Sequence, residues 1–508
     1  MRHYQMYING AWRDSDTCNP VLDKFTNTPY AQYAVTTPEE VNEAVAAAQR
    51  SFREHVLSGT ERYEILTRAK TLLLEQKDEI ADMICHESGR IYADAAWEVD
   101  RALVSLELAA EEARRIRGEI IPTLGMAGHE DKFCYTILKP KGVVAIIMPF
   151  NLPLVLTMNK LAPAIAAGNT VVLKPSQVCP GYAVKLTEVL LKAGLPANHI
   201  QLVLGKGSDV GEALLNNQDV AFYCFTGSMQ GGIHVRNKVG LRKCSMDLGN
   251  TSPIIVHKDV DVKAVAGNCA GYGYYNAGQV CFRPQRLYVH KDIFEQFVAE
   301  IKSFCENVKV GDPRQPGVYV GPMISPADVE RVDAWVQEAV AQGATLVAGG
   351  RKYSDTVYLP TLLTNVTKDM KVVKDEIFGP VLVAIPYENF DDAINEANDS
   401  VFGLHAACFT NDLNLAMRAA DRLEAGGIHI DLDRPAESLK VYRDAGITIS
   451  SFGVNFFGPD EAANRKVFEF AALAGFPAIS ADLNYDSLDL VEKLCAEYGK
   501  KVAIHNHG

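Results

Sequence analysis

Residues 4–13 (YQMYINGAWR) alternate apolar and polar positions about an Asn9-Gly10 pair, which predicts a short β-hairpin. Thr37-Pro38-Glu39-Glu40 predicts a helix start: a hydroxyl cap, proline at the first position and a carboxylate three residues after the cap. Apolar residues at three- and four-residue intervals predict long helices over roughly 61–87 and 93–117, which read as packing elements without chemistry of their own. From Lys139 the rhythm changes. Short apolar runs at 143–148, 170–173, 200–204 and 220–225 predict buried strands. Helical patterns at 154–167, 183–193, 210–216 and 231–239 follow them in turn. Such alternation predicts a doubly wound, mostly parallel sheet with helices on both faces, in which ligands gather at the carboxyl ends of the strands. That directs attention to Asn151, Lys174 and Gly227, each just after a predicted strand.

Length and charge narrow the class. A chain of 508 residues exceeds one core and predicts two or three domains. A hydrophobic share of 48% with 22% charged residues is that of an ordinary globular protein. The net charge of -13, without any basic block, argues against a nucleic-acid partner. Residues 1–10 lack the charged and apolar regions of a secretory leader, and the longest apolar run, 143–150, is too short to span a membrane. The 11 cysteines show no CxxC pairing or metal-ligand spacing, so reduced thiols in a cytoplasmic protein, and no metal, are expected.

Three Gly-rich stretches carry candidate chemistry. Gly205-Lys-Gly207-Ser-Asp-Val-Gly211 departs from the dinucleotide spacing and reads better as a tight strand-to-helix turn. Phe225-Thr-Gly227-Ser228-Met-Gln-Gly-Gly232 follows a strand and opens a helix, where free N–H groups and the helix dipole favour a phosphate. Asn276-Ala-Gly-Gln-Val-Cys281 delivers a cysteine on a small-residue turn just before the β-like run 287–290. That leaves room for a substrate at the thiol, although a free cysteine taken alone is more often an inert small hydrophobe.

The chain resembles the NAD(P)-dependent aldehyde dehydrogenases. The resemblance rests on Pro149-Phe150-Asn151-Leu152-Pro153, Leu173-Lys174-Pro175-Ser176, Phe225-Thr-Gly-Ser228, Asp247-Leu-Gly249, Gly278-Gln-Val-Cys281 and Glu376-Ile-Phe378-Gly-Pro380, in the family's order, and spans about residues 4–431. It implies an α/β aldehyde dehydrogenase-like fold, with a Rossmann-like NAD(P)-binding domain over 1–248, an oligomerisation hairpin near 126–140 and an α/β catalytic domain over 249–431. It further implies Cys281 as nucleophile, the Asn151 amide and the Cys281 N–H as oxyanion donors, and Asp247 as general base. Phe150, Lys174, Ser176, Gln177, Gly227, Ser228, Gly232, Glu376 and Phe378 are the implied cofactor residues. Either NAD or NADP fits, because many NAD-preferring members carry a Glu where this chain has Gln177, and a neutral amide does not repel a 2′-phosphate. A homo-oligomer is expected of the family.

Some positions depart from the family pattern. Asp247 stands one methylene short of the usual Glu, and Asn250 replaces a second Gly. Since a base must first reach its proton, the shorter carboxylate keeps open a coenzyme A-acylating alternative. Asn159, where many members carry an aromatic, and Arg283 hint at a small polar or anionic aldehyde, against a structural role for Arg283.

After Asp431 the family's Pro-Phe-Gly-Gly loop and last strand are not found. Residues 432–508 instead resemble a piece of a xylose-isomerase-like sugar phosphate isomerase/epimerase (β/α)8 barrel. The pattern predicts helix 436–444, strand 447–454, helix 461–474, strand 478–483, helix 487–498 and strand 501–505. About three strands cannot close an eight-stranded barrel, and His505 and His507 alternate faces of one strand. The tail is therefore expected to carry no catalysis of its own. A metal-dependent isomerase, and an inactive dehydrogenase scaffold fused to this fragment, are the competing functions. The missing strand places the oligomer in question.

Overall fold

The computed structural model describes residues 1–431, 455–474, 478–483 and 485–504. The chain divides into two compact units. The first comprises Met1–Thr251, Cys269–Gln285 and Ile301–Ala384, and the second comprises Ser252–Asn268, Arg286–Glu300 and Ile385–Gly508.

In the first unit, Met6–Ile8 and Ala11–Arg13 pair antiparallel. Asn9 (φ 52°) and Gly10 (φ 80°) form the left-handed two-residue turn that matches strand twist. Thr37 caps helix Pro38–Glu54: its hydroxyl accepts from Glu40 N–H (3.2 Å) while the Glu40 carboxylate accepts from Thr37 N–H (2.8 Å). The helix expected over 61–87 is two helices, Gly59–Glu75 and Lys77–Ser88, separated by Gln76 at non-helical dihedrals. The apolar spacing runs on through the break, so periodicity does not register it. Helix Tyr92–Arg115 follows the left-handed cap Gly89.

The main sheet runs Lys243–Asp247, Val220–Thr226, Val143–Ile147, Thr170–Lys174 and Ile200–Leu202, all parallel, then the antiparallel Met6–Ile8 and Ala11–Arg13. Of the five parallel strands the chain forms the central one, Val143–Ile147, first, builds the side toward Ile200–Leu202, then returns to build the other. The strand order therefore reverses at Val143–Ile147, where such sheets form their ligand crevice. Each face of this strand meets its own core. Val144 and Ile146 pack with Leu154, Met158 and Val99, and Val143, Ala145 and Ile147 pack with Val41, Ala44 and Val45. Burial on both faces explains the unbroken apolar run. The stretch Gly207–Gly211 is a wide helical turn leading into helix Glu212–Asn216, in keeping with the structural reading of its glycines.

Ile120–Ile121 pairs antiparallel with Cys134–Tyr135, leaving Ile120, Leu124, Phe133, Tyr135, Ile137 and Leu138 exposed. The hairpin thus begins upstream of 126–140, because two-residue strands are too short to show an alternation. In a further sheet Thr361–Thr364 lies between antiparallel Thr345–Ala348 and parallel Val381–Tyr387.

In the second unit Ser252–Val256, His405–Phe409 and Gly427–Asp431 are parallel neighbours. Farther on, Asn455–Phe457, Ala478–Leu483 and Lys501–Ile504 form an open parallel sheet connected through helices Glu461–Ala474 and Leu488–Tyr498. Phe457, Phe468, Ile479, Val491 and Leu494 close a small core of its own. The expected helix 436–444 and strand 447–454, together with His505 and His507, lie outside the described residues. Among the described residues no closed barrel is formed, and no helix is long and apolar enough to cross a membrane.

Glu87 joins three elements of the first unit. Its buried carboxylate accepts from the Tyr4 hydroxyl (2.5 Å), on strand Arg2–Tyr4, and from Gly181 N–H (2.9 Å), at the start of helix Gly181–Lys192. Burial pushes this carboxyl up to about 7 from 4.5. A raised folded pKa contributes stability below the unfolded value that is lost as pH rises through the folded one. Glu87→Gln is therefore expected to flatten the stability curve between these two pH values by a few kcal/mol. Urea unfolding across that window checks this, and an unchanged slope would assign the pH dependence to another group.

Candidate active site

The site lies wholly in the first unit. Asn151 follows the central strand and precedes helix Pro153–Ala166. Its side-chain Nδ2 donates to the Gln279 carbonyl (3.0 Å), leaving the second amide hydrogen for another acceptor. Its own carbonyl accepts from Arg90 Nη1 (3.1 Å) and from Asn276 Nδ2 (3.2 Å). The sheet mouth and the turn before Cys281 are thus tied together through one buried residue.

That turn is left-handed. Asn276 (φ 52°, ψ 39°), Ala277 (φ 52°, ψ 33°) and Gly278 (φ 72°) succeed one another in a region that costs a residue with a Cβ about 1–2 kcal/mol. The Gln279 side chain braces it, donating to the Asn276 carbonyl (3.2 Å) and accepting from Ile324 N–H (2.9 Å). Gly278 is required twice over: besides its φ, a Cβ there would sit 2.0 Å from the Gly379 carbonyl oxygen.

Cys281 emerges half-buried from this turn. Burial pushes its thiol up to about 12, the carboxylates of Asp247 and Glu376 push the same way, and the N–H groups of Cys281 and Phe282 pull it down. Asp247 is the last residue of its strand, and its carbonyl accepts from Gly227 N–H (3.1 Å). Glu376 is also raised by burial and accepts from Asn250 N–H at 2.9 Å. A Cβ at Gly249 would fall 2.0 Å from the Glu376 carboxylate, so this glycine makes the approach possible. Asn250 contributes its backbone and is not among the positive-φ residues, which explains why a side chain is tolerated at this position.

The residues that the resemblance implies for the cofactor carry groups that suit an NAD(P) ribose and diphosphate. Lys174 ends a strand with its ammonium buried against the Pro175 carbonyl (3.2 Å), and burial lowers it to about 8. Gln177, three residues on, holds a buried Oε1 without a hydrogen-bond partner. A desolvated donor and an orphaned acceptor three residues apart suit a polyhydroxyl ligand. Ser176 lies between them, its carbonyl accepting from Cys179 N–H (3.2 Å). Ser228 caps helix Met229–Val239 by accepting from Gly231 N–H (3.1 Å), so the turn opening at Gly227 presents a helix N-terminus. Gly232 admits the Leu248 side chain, which a Cβ would meet at 2.5 Å. Phe150 and Phe378 meet edge to face at 6.1 Å, with Phe378 in the left-handed region (φ 44°).

The two substrate candidates separate. Asn159 is exposed and accepts from the Ser105 hydroxyl (2.6 Å). Arg283 is buried, donating to the carbonyls of Pro284 (2.8 Å) and Val381 (3.0 Å) and to Gln285 Oε1 (3.0 Å). It is a structural residue spent on the backbone, which corrects the expectation of a substrate contact; its proximity to Cys281 in sequence carries no information on which way the side chain turns. Two residues escaped the sequence reading altogether. Arg90 and Glu98 form a fully buried ion pair (3.2 Å) beside Asn151. The available signal was a charge on the apolar stripe of Ala95, Val99 and Ala102. His3, Asp14 and Cys18 bring ligand atoms within 4.8 Å of one another on the exposed surface, although their spacing in sequence suggests no metal set.

The chain belongs to the aldehyde dehydrogenase family, whose profile matches residues 12–464. It is similar to 3-sulfolactaldehyde dehydrogenase of Priestia aryabhattai, 44% identical over 431 residues that cover 85% of this chain and 90% of that protein. An NADP-dependent enzyme from E. coli superposes with a TM-score of 0.82 at 32% identity, covering 85% of this chain and 91% of the other. An NAD-dependent aldehyde dehydrogenase from Sinorhizobium meliloti gives 0.82 at 30% identity over 85% and 88% of the two chains. The protein is an NAD(P)-dependent aldehyde dehydrogenase that works through a catalytic cysteine.

Two outcomes follow from this geometry. Gly278→Ala is expected to lower stability by clearly more than the ~1 kcal/mol of a strained alanine and to cut turnover; parental melting and kcat would show that the turn tolerates a Cβ. Alkylation by iodoacetamide, corrected for the other cysteines with Cys281→Ala, should keep rising past the ordinary thiol range of about 8.5. Asp247→Asn removes one anion and should shift that rise to lower pH, and a shift to higher pH would contradict the electrostatic account.

Proposed function

We propose that this chain oxidises a small polar or anionic aldehyde to its carboxylic acid at Cys281, with Asn151 and Asp247 as the other reacting groups. The carrying observation is the thiol set beside two carboxylates, on a turn hydrogen-bonded to the Asn151 amide. The relative named for 3-sulfolactaldehyde, an anionic aldehyde, and the polar Asn159 support the substrate class.

Cys281 loses its thiol proton to solvent and attacks the carbonyl carbon as thiolate, forming the C–S bond as the C=O π bond opens and places charge on the aldehyde oxygen. The free Asn151 amide hydrogen and the Cys281 N–H stabilise that charge; one such donor is typically worth about 3 kcal/mol of barrier. NAD(P)+ supplies the hydride acceptor when bound. With the carbon oxidised, a thioester joins the acyl group to Cys281. Asp247 then takes a proton from water, the water oxygen attacks the thioester carbon, and the acid departs as the C–S bond breaks. Lys174, Ser176 and Gln177 would hold the adenosine ribose, and Gly227, Ser228 and Gly232 the diphosphate. Glu376 would take the nicotinamide ribose, with Phe150 and Phe378 placed to pack against the nicotinamide. Gln177 brings no charge against a 2′-phosphate, so NADP is accepted as well as NAD.

Residues 1–248 are assigned to dinucleotide binding, 249–431 to catalysis and 432–508 to a partial (β/α) barrel of xylose-isomerase type, a reading supported by the open parallel sheet near the C-terminus. The exposed apolar hairpin supports a homo-oligomer, and the -13 charge with no basic block supports the absence of nucleic acid. Cysteines without disulfides support a cytoplasmic setting.

The test is NAD(P)H formation by the full chain with small anionic aldehydes. Cys281→Ala is expected to abolish it. Asp247→Asn is expected to retain one burst of NAD(P)H and then to turn over about 10²-fold more slowly, the lower end of general-base contributions. Unchanged steady-state turnover would remove Asp247 as base. Acceleration by coenzyme A with an acyl-CoA product would support the acylating reaction instead.

A further inference from the structure

Helix Tyr92–Arg115 is amphipathic, with Ala95, Val99 and Ala102 facing the core, yet Glu98 occupies the same stripe and has no exposure. Its carboxylate caps another helix. One oxygen accepts from the N–H groups of Leu154 (2.7 Å) and Val155 (3.0 Å), in the first turn of Pro153–Ala166, whose own cap Leu152 offers no side-chain bond. The other oxygen lies 3.2 Å from Arg90 Nε.

Arg90 stands between helices Lys77–Ser88 and Tyr92–Arg115 and is likewise fully buried. Its guanidinium donates two ways, Nη1 to the Asn151 carbonyl (3.1 Å) and Nη2 to the Tyr275 hydroxyl (2.7 Å) and the Asp94 carbonyl (3.4 Å), while Nε faces Glu98 as an ion pair without hydrogen-bond geometry. It also lies 5.4 Å from the centre of the Tyr275 ring. Tyr275 opens the turn Tyr275–Gly278 that leads to Cys281. One planar cation therefore touches both segments that supply the oxyanion donors.

Packing alone does not require an ion pair here. Burying two charges is costly, and apolar replacements of similar volume are often as stable. What the fork supplies, and an apolar group cannot, is two fixed hydrogen-bonding directions from one rigid plane, with the Glu98 charge beside it. We propose that the buried Arg90–Glu98 pair is the positioning element of the oxyanion hole, holding the Asn151 loop and the Cys281 turn in register with each other. This rests on the proposed role of Asn151. Neither Arg90 nor Glu98 touches substrate; both act through Asn151 and Tyr275.

The experiment is a double-mutant cycle in the full-length enzyme, using Arg90→Lys, Glu98→Gln, Asn151→Ala and the doubles with Asn151→Ala. Arg90→Lys keeps the charge and loses the fork, and Glu98→Gln keeps a capping oxygen and loses the charge. Retained NAD(P)H binding identifies the folded variants. Each of the two is expected to lower kcat, by about 10²-fold for Arg90→Lys, the typical effect of a 1 Å misplacement, with KM for NAD(P)+ unchanged. On the Asn151→Ala background neither should lower kcat further, because the group being positioned is already gone. Parental kcat in either folded single variant, or losses that multiply on that background, would overturn the proposal. Parental kcat in Asn151→Ala alone would instead overturn the role of Asn151, and is read separately.

Discussion

The hydrogen bond from the Asn151 amide to the Gln279 carbonyl is the contact on which the geometry of the site depends. At one end, Asn151 follows a strand that is buried on both faces and paired on both edges, so it has little freedom to move. At the other end is a turn of three successive left-handed residues, two of which pay a steric cost for that conformation. Left to itself such a turn would relax. It is held by Asn276 bonding the Asn151 carbonyl, by the Gln279 side chain bonding the Asn276 carbonyl and Ile324 N–H, and by Gly278 lying against Gly379. Strain at the nucleophile is sustained by a sheet that cannot follow it.

The same closeness sets the electrostatics. A thiol removed from water and faced by two carboxylates rests protonated, which protects it from adventitious chemistry and makes reaction depend on taking that proton away. The carboxylates are not equivalent. Glu376 is half-buried, bonded to Asn250 N–H and drawn toward the cations Arg283 and Arg331, and Gly249 gives it room. Asp247 sits half-buried at a strand end, with its backbone rather than its carboxylate engaged. A carboxylate left uncommitted by the scaffold agrees with the role of base proposed for Asp247.

Much of this was legible in the residues. The Asn9-Gly10 turn, the Thr37 capping box and the strand–helix alternation each rest on local chemistry that holds wherever the segment finds itself, and each appears within a residue or two of expectation. The elements within 461–504 were readable for the same reason. Long-range geometry was not. The break at Gln76 leaves the apolar spacing undisturbed. Arg283 lies two residues from the nucleophile yet points into backbone carbonyls. Glu98 falls on an expected packing helix and Arg90 between two of them, and only the tertiary structure shows them buried side by side next to Asn151.

By itself the sequence determined which groups are available and in what order: a cysteine on a small-residue turn, an amide and a lysine after successive strands, and an acid ahead of the cysteine. These follow from local backbone preferences and side-chain chemistry, which travel with the residues. Only the tertiary structure decided which of them meet. It set the left-handed turn against the Gly379 carbonyl, brought Glu376 onto Gly249 and turned Arg283 away, because those outcomes depend on distances between segments far apart in the chain. The bond between Asn151 and Gln279 spans 128 residues, and no local rule in the sequence specifies it.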